Sequence, residues 1–318
     1  MKKVVLSVLL SLFCVGNAFS QFDPQFSQYM FNLTAFNPAA VGESGMIQIT
    51  GQHRIQWVGI TNAPRTTVFS INSPLKIGNN LHGIGLQFFN DKVGGFVNQS
   101  AHVEYAYKKP LGSGVFSVGA DVGFVSVGFN GDSVAAHKIT IGTYHDLFSD
   151  TEIPTSNVSG MSFDMNIGVF YSTPLYYAGV SYSHLNSPTI SWNDKSSMSL
   201  KGALFLTGGY NYTLLDSKYV FKPCGLIKTD FSTFQLDLST RLEYNNKYWG
   251  GIAYRIQDAV SLLAGINIAG GLSIGYSYDF PTSKILLASS GSHEFTLVYS
   301  FEYIFKKGSS RYKSIRIL

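Results

Sequence analysis

The sequence predicts an all-β protein: a transmembrane antiparallel β-barrel of about 14 strands with a short plug-like segment at its amino end. Three observations predict it. First, apolar and polar residues alternate with period two over long stretches. Ile47, Ile49, Ile55 and Trp57 share one face, and Gln48, Thr50, Gln52, Arg54 and Gln56 share the other. Second, charged residues make up 13% of the 318 where soluble domains average about 25%, while aromatics reach 14%. Such a composition suits a wall with lipid on one side and water on the other. Third, the connections between alternating segments sort by parity, the long ones all following odd-numbered segments.

In chain order, residues 1–20 read as a secretory signal: Lys2 and Lys3, the apolar run Val4–Val15, then Ala18-Phe19-Ser20 before Gln21. The run is short for a membrane-anchoring helix, and no second apolar run of about 18 residues follows, as a helical span requires. Cys14 falls inside the signal, so the mature chain keeps only Cys224 and forms no internal disulfide. Residues 21–45 form the lead-in. Phe26, Tyr29, Met30 and Phe31 fit one face of a short helix capped by Asp23, with Pro24 in its first turn. Pro38, after Asn37, turns the chain out of helix. Ahead of a long array of strands, such an aromatic, amide-rich segment reads as a plug or inner-wall segment; the alternative is a tether folded back on the first strand.

The barrel is expected over 46–305. Its segments lie near 46–57, 64–73, 80–90, 96–108, 114–129, 160–172, 175–185, 200–213, 218–229, 232–245, 247–257, 259–269, 271–280 and 292–305. The clearest run about 11–14 residues, enough to cross a bilayer at a tilt. In 232–245, Phe234, Leu236, Leu238 and Leu242 oppose Gln235, Asp237, Arg241 and Glu243; in 292–305, Phe295, Leu297, Tyr299 and Phe301 share a face. Short gaps such as Pro110–Gly112 and Asn246 follow even-numbered segments. The long gaps Val58–Ala63, Asn130–Ser159, Asn186–Ser199 and Pro281–Gly291 follow odd ones. Outer-membrane barrels have short periplasmic turns and longer outer loops, so both chain ends belong in the periplasm. Unpaired backbone groups are not tolerated in hydrocarbon, so the sheet must close. Trp57, Tyr107, Trp192, Tyr248 and Trp249 fit interfacial belts.

Charge excludes one class of partner. Without Lys2 and Lys3 the formal charge falls from +4 to +2. The basic tail 306–318 carries five cationic side chains and no acid, leaving −3 for 21–305. That gives no support for nucleic-acid binding, which needs basic residues clustered on a folded face. Arg54, Glu104, Asp237, Arg241, Glu243, Arg255 and Asp258 should face the lumen, because a charge on the lipid face costs about 2–4 kcal/mol at the midplane. His53, His82, His102 and His184 fall singly in strands, where a metal site needs several convergent ligands. Two sets have the residue types of a hydrolase, His184 with Ser181 or Ser183 and His293 with Ser292 and Glu294. Neighbours along a strand face opposite ways, so neither set converges. No catalytic, metal or cofactor residue is assigned.

Several motifs carry a resemblance: Asp23-Pro24-Gln25-Phe26-Ser27-Gln28-Tyr29-Met30, Asn37-Pro38-Ala39, His53-Arg54-x-Gln56-Trp57, Ala63-Pro64-x-Thr66, Tyr254-Arg255, Gly275-Tyr276-Ser277-Tyr278-Asp279 and Gly291-Ser292-His293-Glu294-Phe295. Together they are similar to the PorP/SprF family; Ala40 departs from it, standing where the family more often has Tyr. The resemblance implies an outer-membrane component of the type IX secretion and gliding machinery, non-enzymatic and without cofactor. It would aid export or surface anchoring of a secreted adhesin, or dock periplasmic lipoproteins. It makes Asp23, Pro24, Gln25, Phe26, Ser27, Gln28, Tyr29, Met30, Asn37, Pro38, Arg54, Trp57, Pro64, His293 and Glu294 the candidate partner-binding residues. The rival reading is a plugged outer-membrane channel for small solutes, apolar ones among them.

Overall fold

The computed structural model describes residues 25–131, 156–192, 196–216 and 218–302. The expected signal segment, Asp23, Pro24, most of the 130–159 loop and the basic tail lie outside the described residues.

The strands follow the predicted order. The first half of the wall is β1 (Ile47–Ile55), β2 (Arg65–Ile77), β3 (Asn80–Val93), β4 (Phe96–Leu111), β5 (Gly114–Phe129), β6 (Val158–Ser172) and β7 (Tyr176–Ser183). A small hairpin, β8 (Thr189–Ser191) with β9 (Ser197–Ser199), stands apart from the wall. The wall resumes with β10 (Ala203–Tyr210), its continuation β11 (Tyr212–Thr213), β12 (Tyr219–Thr229), β13 (Phe234–Tyr244), β14 (Tyr248–Arg255), β15 (Ala259–Ile268), β16 (Leu272–Pro281) and β17 (Ser292–Phe301). Every wall pairing is antiparallel. β17 bonds β1, and β10 bonds both β7 and β12, so the sheet closes as a barrel of 14 staves. Closure leaves no edge for hydrocarbon to meet.

Which way each residue faces follows from the pleat. On β1 the polar Gln48, Thr50, Gln52 and Arg54 turn inward, and Arg54 is 1% exposed. On β13 Asp237, Ser239, Arg241 and Glu243 turn inward while Phe234, Leu238, Leu242 and Tyr244 lie exposed. The outer surface carries Phe69, Leu86, Val103, Phe124, Ile252, Leu262 and Phe295. This is inside-out relative to a water-soluble sandwich, and it is the pattern of a lipid-facing barrel.

The short turns gather at one rim and the long loops at the other. The strand pattern puts residues 78–79, 112–113, 173–175, 214–216, 218, 245–247 and 269–271 at the first, with the start of β1 and the end of β17. Two local expectations need correction. The stretch between the expected segments 64–73 and 80–90 is mostly strand, and the turn itself is only Gly78-Asn79, with Gly78 at φ +61. β1 pairs with β2 only as far as Asn72, so Pro74, on the far side of that point, has no ladder bond to forfeit there. The 186–199 gap is not plain loop either. Its hairpin folds over the inner face of β5, where Ile190 and Leu200 pack on Val125 and Val127, and Trp192 Nε1 donates to the Val127 carbonyl at 2.8 Å.

The lead-in does not form the predicted helix. It makes three short 3-10 turns, Tyr29–Phe31, Leu33–Ala35 and Pro38–Ala40. Pro38 starts the third of these rather than ending a helix, and Asn37 caps it by accepting from Ala39 N at 2.9 Å. Phe26, Tyr29, Met30 and Phe31 therefore share no single face. Phe26 and Tyr29 join Phe36, Val68 and Phe205 in one cluster, while Phe31 packs on Trp249.

Candidate functional site

Residues 25–45 run down inside the barrel, and the bonds that hold them concentrate at three levels. At the top, near the long-loop rim, β1 and β17 meet at the seam where the first and last strands pair. Register sets Arg54 directly opposite Glu294 and Gln52 opposite Thr296. Arg54 Nη1 lies 2.7 Å from Asp279 Oδ2 and 3.1 Å from Glu294 Oε2. The two carboxylates also receive the lead-in. Glu294 accepts from Ser27 N at 2.7 Å and Gln28 N at 2.8 Å, while Ser27 Oγ donates to Asp279 at 2.8 Å. Arg54 donates to Ser27 Oγ at 3.0 Å, and Gln52 Nε2 to the Gln28 carbonyl at 3.2 Å. Buried charges survive only when paired and bonded in this way. We call this set the latch. Beside it, Gln25 donates to Gln235 at 2.6 Å, and Arg255 bonds Asp237 at 2.8 Å and Asp258 at 3.0 Å.

At the middle level Arg241 sits 4.3 Å from the Phe31 ring centroid and 5.5 Å from that of Trp249. Phe31 and Trp249 are 4.8 Å apart. Trp249 is 5% exposed and points inward, so it is no interfacial belt residue. Trp192 likewise packs inside the mouth, whereas Tyr107 and Tyr248 do face outward. Tyr29 lies near Ser239 Oγ at 3.2 Å. At the lowest level Asn37 Nδ2 donates to the Val169 carbonyl at 3.0 Å and to that of Val180 at 3.3 Å. There the wall is flattened to seat the chain: a Cβ on Gly119 would lie 2.5 Å from Ala39 Cα, and one on Gly168 would collide with Asn37 Oδ1.

Of the motif residues, Ser27, Gln28, Arg54 and Glu294 thus converge. Gln25, Phe26, Tyr29, Met30, Asn37 and Pro38 hold the same segment at other points. Three do not join. Trp57 is in the 56–64 loop at φ 50, with its backbone N–H donating to Ser292 Oγ at 3.1 Å, and the Pro64 carbonyl accepts from Gln56 N at 2.9 Å. His293 faces outward, bonded to Tyr276 at 2.7 Å. The hydrolase sets stay apart as well: Ser181 bonds the Phe36 carbonyl, and His293 lies on the opposite face from Glu294 and Ser292. Asp279 and Gln52 are latch residues without a place among the candidates. The signal was present for both, since each lies on the inward parity of a strand that carries Arg54 or pairs with Glu294. Two histidines read as solitary are not: His184 Nδ1 bonds Asp164 at 2.9 Å, and His102 Nδ1 bonds Asp121 at 2.8 Å.

Comparison with solved structures returns membrane proteins at low identity. The "TodX deltaS2S3 mutant monoaromatic hydrocarbon channel" is 10% identical with a TM-score of 0.48, over 86% of this chain and 94% of that one. The "CymD monoaromatic hydrocarbon channel" is 12% identical at 0.47, over 91% and 95%. The outer membrane protein Omp33 of Acinetobacter baumannii is 8% identical at 0.46, over 80% and 98%. No curated protein matches. A family model, type IX secretion system membrane protein PorP/SprF, matches residues 18–299. That span contains the latch and all but the end of the last strand. The chain is an outer-membrane β-barrel and belongs to the PorP/SprF family.

Proposed function

We propose that this barrel is a non-enzymatic holder in the type IX secretion and gliding machinery. It is delivered by a cleaved signal peptide, and it aids export or surface anchoring of a secreted adhesin or docks periplasmic lipoproteins. The observation that carries the reading is the fate of the motif residues. Ser27, Gln28, Arg54 and Glu294 bind one another and so secure the chain's own lead-in within the lumen. A barrel occupied in this way offers its rims to partners. The long loops at one rim are suited to a secreted chain, and the short turns at the other to periplasmic proteins. The family match supports the secretion context.

The test is cross-linking in cells followed by affinity capture of the tagged protein from detergent extract. A secreted adhesin or a lipoprotein of the secretion machine should copurify, and should be lost when 184–202 or a short turn is replaced by a Gly-Ser segment. The second reading, a plugged channel for small solutes, is favoured by the cavity left between the lead-in and the wall. Planar-bilayer conductance that rises when 22–45 are deleted, with no partner captured, would replace the first reading by the second.

A further inference from the structure

Away from the latch, the inner wall of β4 to β7 carries a separate charged cluster. Asp121 and Asp164 are buried, and two imidazoles face them. His102 Nδ1 lies 2.8 Å from Asp121 Oδ1 and its Nε2 lies 3.7 Å from Asp164 Oδ2. His184 Nδ1 lies 2.9 Å from that same Oδ2. Asn166 donates to Asp121 at 2.7 Å and accepts from His184 N at 2.7 Å. Opposite Asp121 in register stands a third carboxylate, Glu104, 0% exposed. Gly85 leaves room for it, since a Cβ there would collide with Glu104 Oε2.

Buried carboxylate oxygens without a donor, together with the lack of an arginine or lysine partner among the described residues, single this cluster out. Asp164 is 0% exposed, yet among the described residues its Oδ1 accepts from no protein group, and neither oxygen of Glu104 does. Among the described residues no lysine or arginine pairs with any of the three carboxylates, in contrast to the arginine-bridged latch. Buried carboxylates without donors are unfavourable and create a demand for a cation or a proton. Beside them is a cavity of about 90 Å3, lined by Asp121, Asp164 and His102 and by the rings of Phe26, Phe36 and Phe205. A void of that size exceeds the ~10–15 Å3 that one water needs, so it admits a small organic group. The cluster does not supply three convergent metal donors.

We propose that this cavity binds a primary ammonium or guanidinium group on a short apolar stem. The cationic head fits the carboxylate wall formed by Asp121 and Asp164, and the stem fits the aromatic side, whose ring faces also attract cations. The group comes either from a free amine or from a lysine or arginine side chain of a peptide threaded into the lumen. This site stands independently of which partner the barrel serves.

The test is calorimetric titration of the full-length protein in detergent with butylamine, 1-butanol, butyrate, the tripeptide Gly-Lys-Gly and magnesium, calcium or manganese chloride. Butylamine should bind at least tenfold more tightly than butanol or butyrate, and Asp164→Asn should weaken butylamine at least tenfold while leaving butanol unchanged. The wild-type comparison decides the matter should that variant fail to fold. Gly-Lys-Gly binding as tightly as butylamine assigns the head group to a peptide; butylamine binding alone assigns it to free amines. The proposal is overturned when butylamine binds no better than butanol, or when a divalent cation binds and displaces it.

Discussion

Glu294 is the residue on which the lead-in most depends. One carboxylate accepts two consecutive backbone N–H groups, from Ser27 and Gln28, and pairs with Arg54 across the seam. Removing one partner of a buried ion pair typically costs about 3–5 kcal/mol, because the other charge is left without compensation. Asp279 remains beside Arg54, so the lower end of that range is expected for Glu294→Ala. The check is thermal or denaturant unfolding in detergent. Glu294→Gln should cost less, since an amide oxygen still accepts one N–H while the charge is lost. Parity along β1, β13 and β17 made the inward facing of Arg54, Asp237 and Glu294 legible in the sequence, because a charge has one affordable side of a barrel wall. Trp249 was not legible, since aromatics favour strands on either face. The clue to it was cross-strand: Gly265, its register partner, carries no side chain where the indole lies.

Among the elements, the strands follow from the period-two pattern and the lead-in does not. Strand positions were readable because each side of the wall has its own solvent. The lead-in has no periodic environment. Its contacts come from eight or more different staves, and their spacing in sequence is set by the wall rather than by a helix. Three 3-10 turns separated by irregular residues are the result. Its lowest turn depends on close approach to Gly119 and Gly168. A leucine at Gly119 must displace the backbone of Ala39 and Pro38, whereas one at Gly168 meets the side chains of Asn37 and Ser181. Gly119→Leu is therefore expected to lift the lower half of the segment while the barrel stays closed. Limited chymotrypsin digestion should then cut at Phe36, beside the lowest turn and buried in the wild type, with β-sheet circular dichroism unchanged. Unaltered resistance to cutting would show that the latch alone holds the segment.

At the scale of the molecule, the path of the lead-in makes a claim about sidedness. β1 begins at the short-turn rim, so residues 42–45 lie there, and Gly42 packs against Ser73 and Pro74 near the lower end of β2. Gln25, by contrast, bonds Gln235 at the start of β13, and Ser27 bonds residues near the ends of β16 and β1 that adjoin the long loops. From Gln25 the described chain therefore descends from the long-loop side to the short-turn rim. With short turns in the periplasm, as in outer-membrane barrels generally, Gln25 sits toward the cell surface although β1 starts on the opposite side. Single cysteines in a Cys224→Ser background test this, Cys224 being the free cysteine of the described residues. A membrane-impermeant maleimide applied to intact cells should label Phe231→Cys, which is 75% exposed in the β12–β13 loop, and should reach Gln25→Cys more slowly. Lys247→Cys, in the β13–β14 turn, should react only after the outer membrane is opened. Labelling of Lys247→Cys but not Phe231→Cys on intact cells would invert the barrel. Labelling of Phe231→Cys without Gln25→Cys, even after unfolding of the latch by Glu294→Ala, would place the start of the lead-in below the mouth rather than within it.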